Sequence, residues 1–215
     1  MISKLEPQML EAREGATQLY IRKLGDSQVA RLGRYFVRDI YFGELLKNEN
    51  FRCDVFLVEG VVAGFIAYTF DSRDIFSYML KNTGLFIASL IKGFFRHPVR
   101  VTGAVMQNVA FMVLKDKEIC PEVRSESLSM VVDGGYKLKS GERIANLLYN
   151  NMFKTLYDNK VRQVKSMVKA DNIFSRALNN YFKMKTVYKG RIFSRSMMHD
   201  TIVYVGDTSV GKDIL

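Results

Sequence analysis

Between Arg124 and Phe182 the chain passes twice from a strand-like run into a helical one, and this alternation restricts the fold more than any other feature. Arg124–Val132 (RSESLSMVV) alternates polar and apolar residues and stops at Asp133-Gly134-Gly135. Gly141–Tyr157 then carries Ile144, Leu147, Leu148, Met152 and Leu156 at helical spacing. Gln163–Val168 is a short strand and Ile173–Phe182 a helix. Thr186–Phe193 and Met198–Val205 are two further strands, and the tail after Gly206 is expected to fray. Such an order needs a sheet with helices layered on it.

The front half extends the pattern. Thr17–Leu24 reads as a strand, and Gly25-Asp26-Ser27 as a turn with a helix N-cap. Val29, Leu32, Phe36, Ile40 and Leu45 recur at helical spacing, so Gln28–Lys47 is expected to form one or two amphipathic helices. Asp54–Phe70 holds two β-branched and aromatic runs joined at Glu59-Gly60, which is a hairpin. Ile75–Leu114 is apolar and helix-compatible, with a break near His97-Pro98, and reads as a helical insertion over about residues 75–120. No repeat and no Pro/Gly/Ser-rich linker divides the chain. One mixed α/β domain over residues 1–215 is therefore predicted, with helices flanking a central sheet.

Charge narrows the partners. Lys and Arg exceed Asp and Glu by 32 − 22 = 10, which favours an anionic partner: a phosphorylated cofactor, a nucleic acid or a membrane surface. Cys53 and Cys120 make neither a disulfide framework nor a zinc set, so reduced thiols and no metal site are expected. The N-terminal residues have no signal-peptide core. The nearest approach to a membrane span, Thr83–Phe95, is interrupted by Lys92. A cytoplasmic protein without a transmembrane segment is predicted. The basic residues are spread along the chain, so DNA is not an expected partner. Lys183–Arg195, with Tyr188 and Phe193 among its basic residues, keeps a non-catalytic nucleic-acid-binding module as an alternative.

Four segments, in order, resemble the GNAT superfamily of acetyl-CoA-dependent N-acetyltransferases over roughly residues 17–205. The hairpin Phe56–Ile66 resembles the family's apolar strand, Glu-Gly turn and Val-x-Gly-Phe. Ser125–Val132 matches the spacing of its central strand. Ser140-Gly141-Glu142-Arg143-Ile144-Ala145, with Leu148 three positions on, falls in register with its phosphate-binding loop. Arg143 stands where the family has glycine, Ser140 where it has Arg or Gln, and the loop from Asp133 to Lys139 is about two residues long in excess. Ala177 and Tyr181 keep the spacing of the next helix, while Asn172 lies about two positions early. Leu32-Gly33, Phe36, Tyr41 and the insertion over Ser77–Leu114 are similar to a bacterial subgroup associated with sugar and polysaccharide pathways.

The resemblance implies a mostly antiparallel GNAT-type sheet, acetyl-CoA as cofactor and direct transfer of acetyl to a primary amine. The acceptor it suggests is a small amine, with an amino sugar or nucleotide sugar preferred. A protein or peptide amine is the alternative. A strand that turns straight into a helix aims free N–H groups at a pyrophosphate. Contacts to coenzyme A are therefore expected from Val131, Val132, Lys137, Lys139, Ser140, Gly141, Glu142, Arg143, Ile144, Ala145, Asn172 and Ala177, with Val131 or Val132 giving an N–H to the thioester oxygen. Tyr181 is the expected general acid. Glu126, a carboxylate inside an apolar strand, is the expected base, directly or through water. Asp71, Glu122, His97 and His199 are weaker candidates for the base. The insertion enlarges the core, walls the acceptor site, or, through Lys92, Arg96 and Arg100, touches a membrane surface peripherally. Monomer and homodimer are both compatible with the sequence.

Overall fold

The structure, a computed structural model, describes residues 1–82, 119–136, 140–194 and 197–212 with a few scattered positions elsewhere. Most of the insertion, including His97, lies outside the described residues, as do Lys137 and Lys139. Seven strands form one sheet: β1 (Ile2–Lys4), β2 (Phe51–Val58), β3 (Val61–Thr69), β4 (Glu126–Val132), β5 (Gln163–Lys169), β6 (Lys185–Ser194) and β7 (Met197–Asp207). Their spatial order is β1-β2-β3-β4-β5-β7-β6, and every neighbouring pair is antiparallel except β4–β5. Helix α1 (Leu10–Leu24) lies on one face, while α4 (Ile144–Asp158) and α5 (Ile173–Tyr181) lie on the other. Two short helices, α2 (Gln28–Arg31) and α3 (Ser72–Lys81), complete the described elements of this type.

Two apolar layers hold this sandwich. Leu19, Tyr20, Phe42 and Phe65 pack between α1 and the sheet, with Tyr20 stacked on Phe65 at 5.9 Å. Leu148, Met152, Phe153 and Phe182 fill the opposite layer, with Phe153 stacked on Phe182 at 5.4 Å. A carboxylate, Asp54, is fully buried in the layer beneath α4. Asp54 accepts hydrogen bonds from Tyr68 Oη at 2.8 Å, Asn151 Nδ2 at 2.8 Å and Arg52 Nε at 2.9 Å. It thereby ties α4 to the β2–β3 hairpin, and its charge is matched by a guanidinium.

Several expectations change. Thr17–Leu24 is not a strand but the C-terminal part of α1: Ala16, Leu19 and Tyr20 bury one helical stripe. The Thr17 hydroxyl donates to the Arg13 carbonyl at 2.8 Å, which accommodates a β-branched residue in the helix. Gln28–Lys47 does not form regular amphipathic helices. It breaks into α2, a π-turn over Phe36–Tyr41 and a 3₁₀ turn over Glu44–Lys47. Gly33, at φ 100°, ends α2 in a conformation that favours glycine. Ser27 does cap α2, accepting from Ala30 N at 3.2 Å. The tail after Gly206 does not fray at once. β7 continues to Asp207, and buried Thr208 donates its hydroxyl to the Val161 carbonyl at 2.5 Å. The hairpin forms as predicted, with Glu59 and Gly60 at φ 50° and 81°, the signature of a type I′ turn.

Candidate active site

The one parallel pair of the sheet is also where it parts. β4 and β5 are in register only at Glu126↔Lys165 and Ser127↔Ser166. Beyond those pairs β4 follows β3 while β5 follows β7, and a gap opens between the two. A bulge helps to shape it: Ser127 opposes Tyr68 and Ser129 opposes Ala67, which leaves Leu128 as an extra residue on β4. Past the bulge the direction of the backbone groups is fixed by one hydrogen bond, Asp133 N to the Ala63 carbonyl at 2.8 Å. Strand alternation then turns Val131 toward β3 and leaves the N–H groups of Met130 and Val132 facing the gap. Of the two valines singled out in the sequence, only Val132 points its N–H there.

The apex of the gap is polar on both sides. Glu126 and Lys165 are buried register partners on the α1 face. On the opposite face Tyr149 Oη donates to Asn179 Oδ1 at 2.9 Å, and Asn179 Nδ2 donates to Ser166 Oγ at 3.3 Å. Burial pushes the Tyr149 phenol above its usual range. This chain of buried groups joins α4, α5 and β5 where the strands begin to diverge.

The gap leads to the N-terminus of α4. The loop between them starts at Asp133, whose carboxyl is held below the usual carboxylate range by the Gly135 N–H and then by Arg22. Gly141 has φ 76° and open space around its Cβ position, so the chain turns there without crowding an incoming group. Arg143 occupies the extended N-cap position, and its side chain makes no capping bond. Its carbonyl accepts from Asn146 N at 2.9 Å and Leu147 N at 3.2 Å. No acidic residue lies in the first turn. The N–H groups of Ile144 and Ala145 thus head a helix whose dipole is left for an anion to satisfy. Ser140, Glu142 and Arg143 are exposed around this end, while the side chains of Ile144 and Ala145 are buried.

Asn172 caps α5, its Oδ1 accepting from Ser175 N at 3.0 Å. Ile173, Phe174, Ala177 and Tyr181 make an exposed apolar edge on α5, with Tyr181 67% exposed. Of the other carboxylates considered, Asp71 caps α3 by accepting from Arg73 N at 2.9 Å, and Glu122 is an exposed residue before β4. His199 lies on β7 opposite Ile192. Sequence patterns did not mark Met130, Ser127, Ser166, Tyr149 or Asn179. The one signal available was the run of serines inside otherwise apolar strands.

Sequence comparison matches no protein-family model and no curated protein. Structural comparison decides the fold. The acetyltransferase of GNAT family from Streptococcus pneumoniae is similar over 96% of this chain and 98% of its own, at TM-score 0.56 and 12% identity. The protein has the GNAT fold. An aminoglycoside 6'-acetyltransferase type Ii is similar over 97% of both chains, at TM-score 0.58 and 10% identity. Arabidopsis thaliana NAA60, solved in complex with acetyl-CoA, is similar over 96% of this chain and 97% of its own, at TM-score 0.54 and 14% identity. In this GNAT fold β4, parted from β5 beyond Ser127↔Ser166, leads in the chain to the start of α4.

Proposed function

We propose that the protein is an acetyl-CoA-dependent N-acetyltransferase acting on a primary amine of a small substrate, with an amino sugar or nucleotide sugar as the preferred class. The observation that carries this reading is the parting of β4 and β5 toward the uncapped start of α4. It supplies strand N–H groups and a helix dipole along a single groove. Coenzyme A fits these residues: its pyrophosphate suits the amides of Ile144 and Ala145, and Arg143, exposed at the N-cap, adds a guanidinium. The exposed edge of α5, with Ala177 and Tyr181, suits the apolar part of the pantetheine arm. In the sequence Lys137 and Lys139 lie between Val132 and Ile144 and add two cations to that stretch.

The cofactor supplies an activated acyl thioester. The protein's own residues do the rest. The N–H groups of Met130 and Val132 stabilise negative charge on the thioester oxygen as the amine attacks. The Tyr181 hydroxyl gives a proton to the departing sulfur. Glu126 stands four residues before Met130, about 13 Å along a strand. It therefore accepts the amine's proton through water rather than directly. The similarity to an aminoglycoside acetyltransferase supports a small acceptor, and a surface carrying a net charge of +10 disfavours basic peptides.

Calorimetric titration with acetyl-CoA and with free coenzyme A tests the reading, with Arg143→Glu as the comparison. A glutamate at a helix N-terminus favours the dipole, so the variant keeps its fold. Saturable binding is expected, weakened roughly tenfold or more in the variant. Absence of binding at millimolar cofactor defeats the proposal.

A further inference from the structure

A cleft of about 370 Å³ lies between the C-terminal half of α1 and the α2 segment. Ile21, Ala30 and Gly33 line it with apolar surface, and Arg22, Arg31 and Arg34 line it with three guanidinium groups. The left-handed backbone of Gly33 brings Arg34 back against α1, where it pairs with Glu14. Arg22 pairs with Asp133 at 2.5 Å. Arg31 meets no carboxylate among the described residues. Three cations against two carboxylates leave the cleft net positive by 3 − 2 = 1.

Its position matters as much as its charge. Asp133 directly follows Val132, so the Arg22–Asp133 pair places the cleft at the end of β4, on the α1 face of the sheet. The start of α4 lies across the sheet, and β4 and β5 are not paired toward that end. A group seated in the cleft can therefore reach the open edge of β4 from the side opposite the phosphate-binding loop.

We infer that this cleft selects the acceptor: a small primary amine that also carries a phosphate or carboxylate group. The inference rests on the acetyltransferase reading above and names its substrate class. Arg31 binds the anionic group through paired N–H bonds, and Arg22 and Arg34 flank it. Ile21 and Ala30 give a compact carbon skeleton an apolar bed. The amine end, positive in solution, is repelled by the uncompensated Arg31 and turned away from it toward the gap, where transfer takes place. A volume near 370 Å³ suits a molecule of monosaccharide size and is too small for a folded protein segment.

The test compares acetylation of glucosamine, glucosamine 6-phosphate and muramic acid by the full chain, read as coenzyme A release, for the wild type and Arg31→Glu. Cofactor affinity is measured in parallel. The phosphate and carboxylate arms separate the two anion chemistries. A charge-assisted pair corresponds to roughly tenfold to a hundredfold in kcat/KM, so at least one anionic amine should exceed glucosamine by that factor. In Arg31→Glu the ratio should fall to about one while acetyl-CoA affinity holds. Equal rates for charged and neutral amines, a ratio unchanged in the variant, or no turnover of any of the three by cofactor-bound protein overturns the inference alone. Failure to bind acetyl-CoA at all overturns the acetyltransferase reading, and this inference with it.

Discussion

Two tyrosines show how environment, rather than residue type, assigns a role. Tyr149 and Tyr181 both belong to helices that flank the gap. Tyr149 is buried, its hydroxyl committed to Asn179 at 2.9 Å and its phenol made harder to ionise by burial. A group in that setting holds structure and gives up no proton. Tyr181 is 67% exposed at the end of α5, and its ring packs edge-on against Phe182 at 5.2 Å. Tyr181→Phe keeps that ring contact and removes the hydroxyl. Its kcat is expected to fall about a hundredfold with acetyl-CoA affinity and melting temperature unchanged. Steady-state coenzyme A release alongside calorimetry measures this, and an unchanged kcat would hand the acid's role to water.

Among the elements, the contact of α4 with β3 sets where the amides of Ile144 and Ala145, proposed above to hold the pyrophosphate, are placed. Gly64 makes the close approach feasible. A Cβ placed there would meet Ile144 Cγ2 at 3.1 Å, the Val131 carbonyl oxygen at 3.1 Å and Leu148 Cδ1 at 3.3 Å. Ile144 is the first residue of α4, and Val131 lies on β4 beside the gap. Gly64→Val therefore pushes on both walls of the groove together. It is expected to cost about 1–3 kcal/mol of stability and to weaken acetyl-CoA binding as well. Urea denaturation and calorimetry on the same preparation check the pair. Lost stability with unaltered affinity would show that the groove does not depend on this contact.

At the scale of the whole molecule, two phenols buried in the core link stability to alkaline pH. Tyr68 is raised by burial and by Asp54, and Tyr149 by burial. Each keeps its proton in the folded protein at pH values where the unfolded chain has lost it. Their stabilisation is complete below the unfolded value of about 10 and is lost as pH rises beyond it. The unfolding free energy from urea titrations should hold up to about pH 8 and then decline, first through the Cys53 thiol, which burial also pushes up, and above about pH 10 through the two phenols as well, by up to ~1.4 kcal/mol per pH unit for each group. A free energy that stays level to about pH 11 would contradict the burial of all three groups.

Residue order alone is enough to set the hairpin at Glu59-Gly60, the succession of strands and helices from Arg124 to Val205, and the cap at Ser27. Each rests on short-range physics: alternation, helical spacing, turn chemistry and the glycine at a left-handed position. The same local signals mislead at Thr17–Leu24, where a polar-apolar mixture hides a helix whose buried stripe exists only once the sheet lies beneath it. They give no sign of β1, a three-residue strand defined by its partner β2. The site divides in the same way. The positions proposed for the site in the loop and at Tyr181 come from spacings in the sequence. The direction of Val132 N–H, the bulge at Leu128, the Tyr149–Asn179–Ser166 chain and the arginine cleft do not. Each of these depends on which residues from distant stretches are brought side by side, and that is settled by the packing of the sheet and its helices in three dimensions.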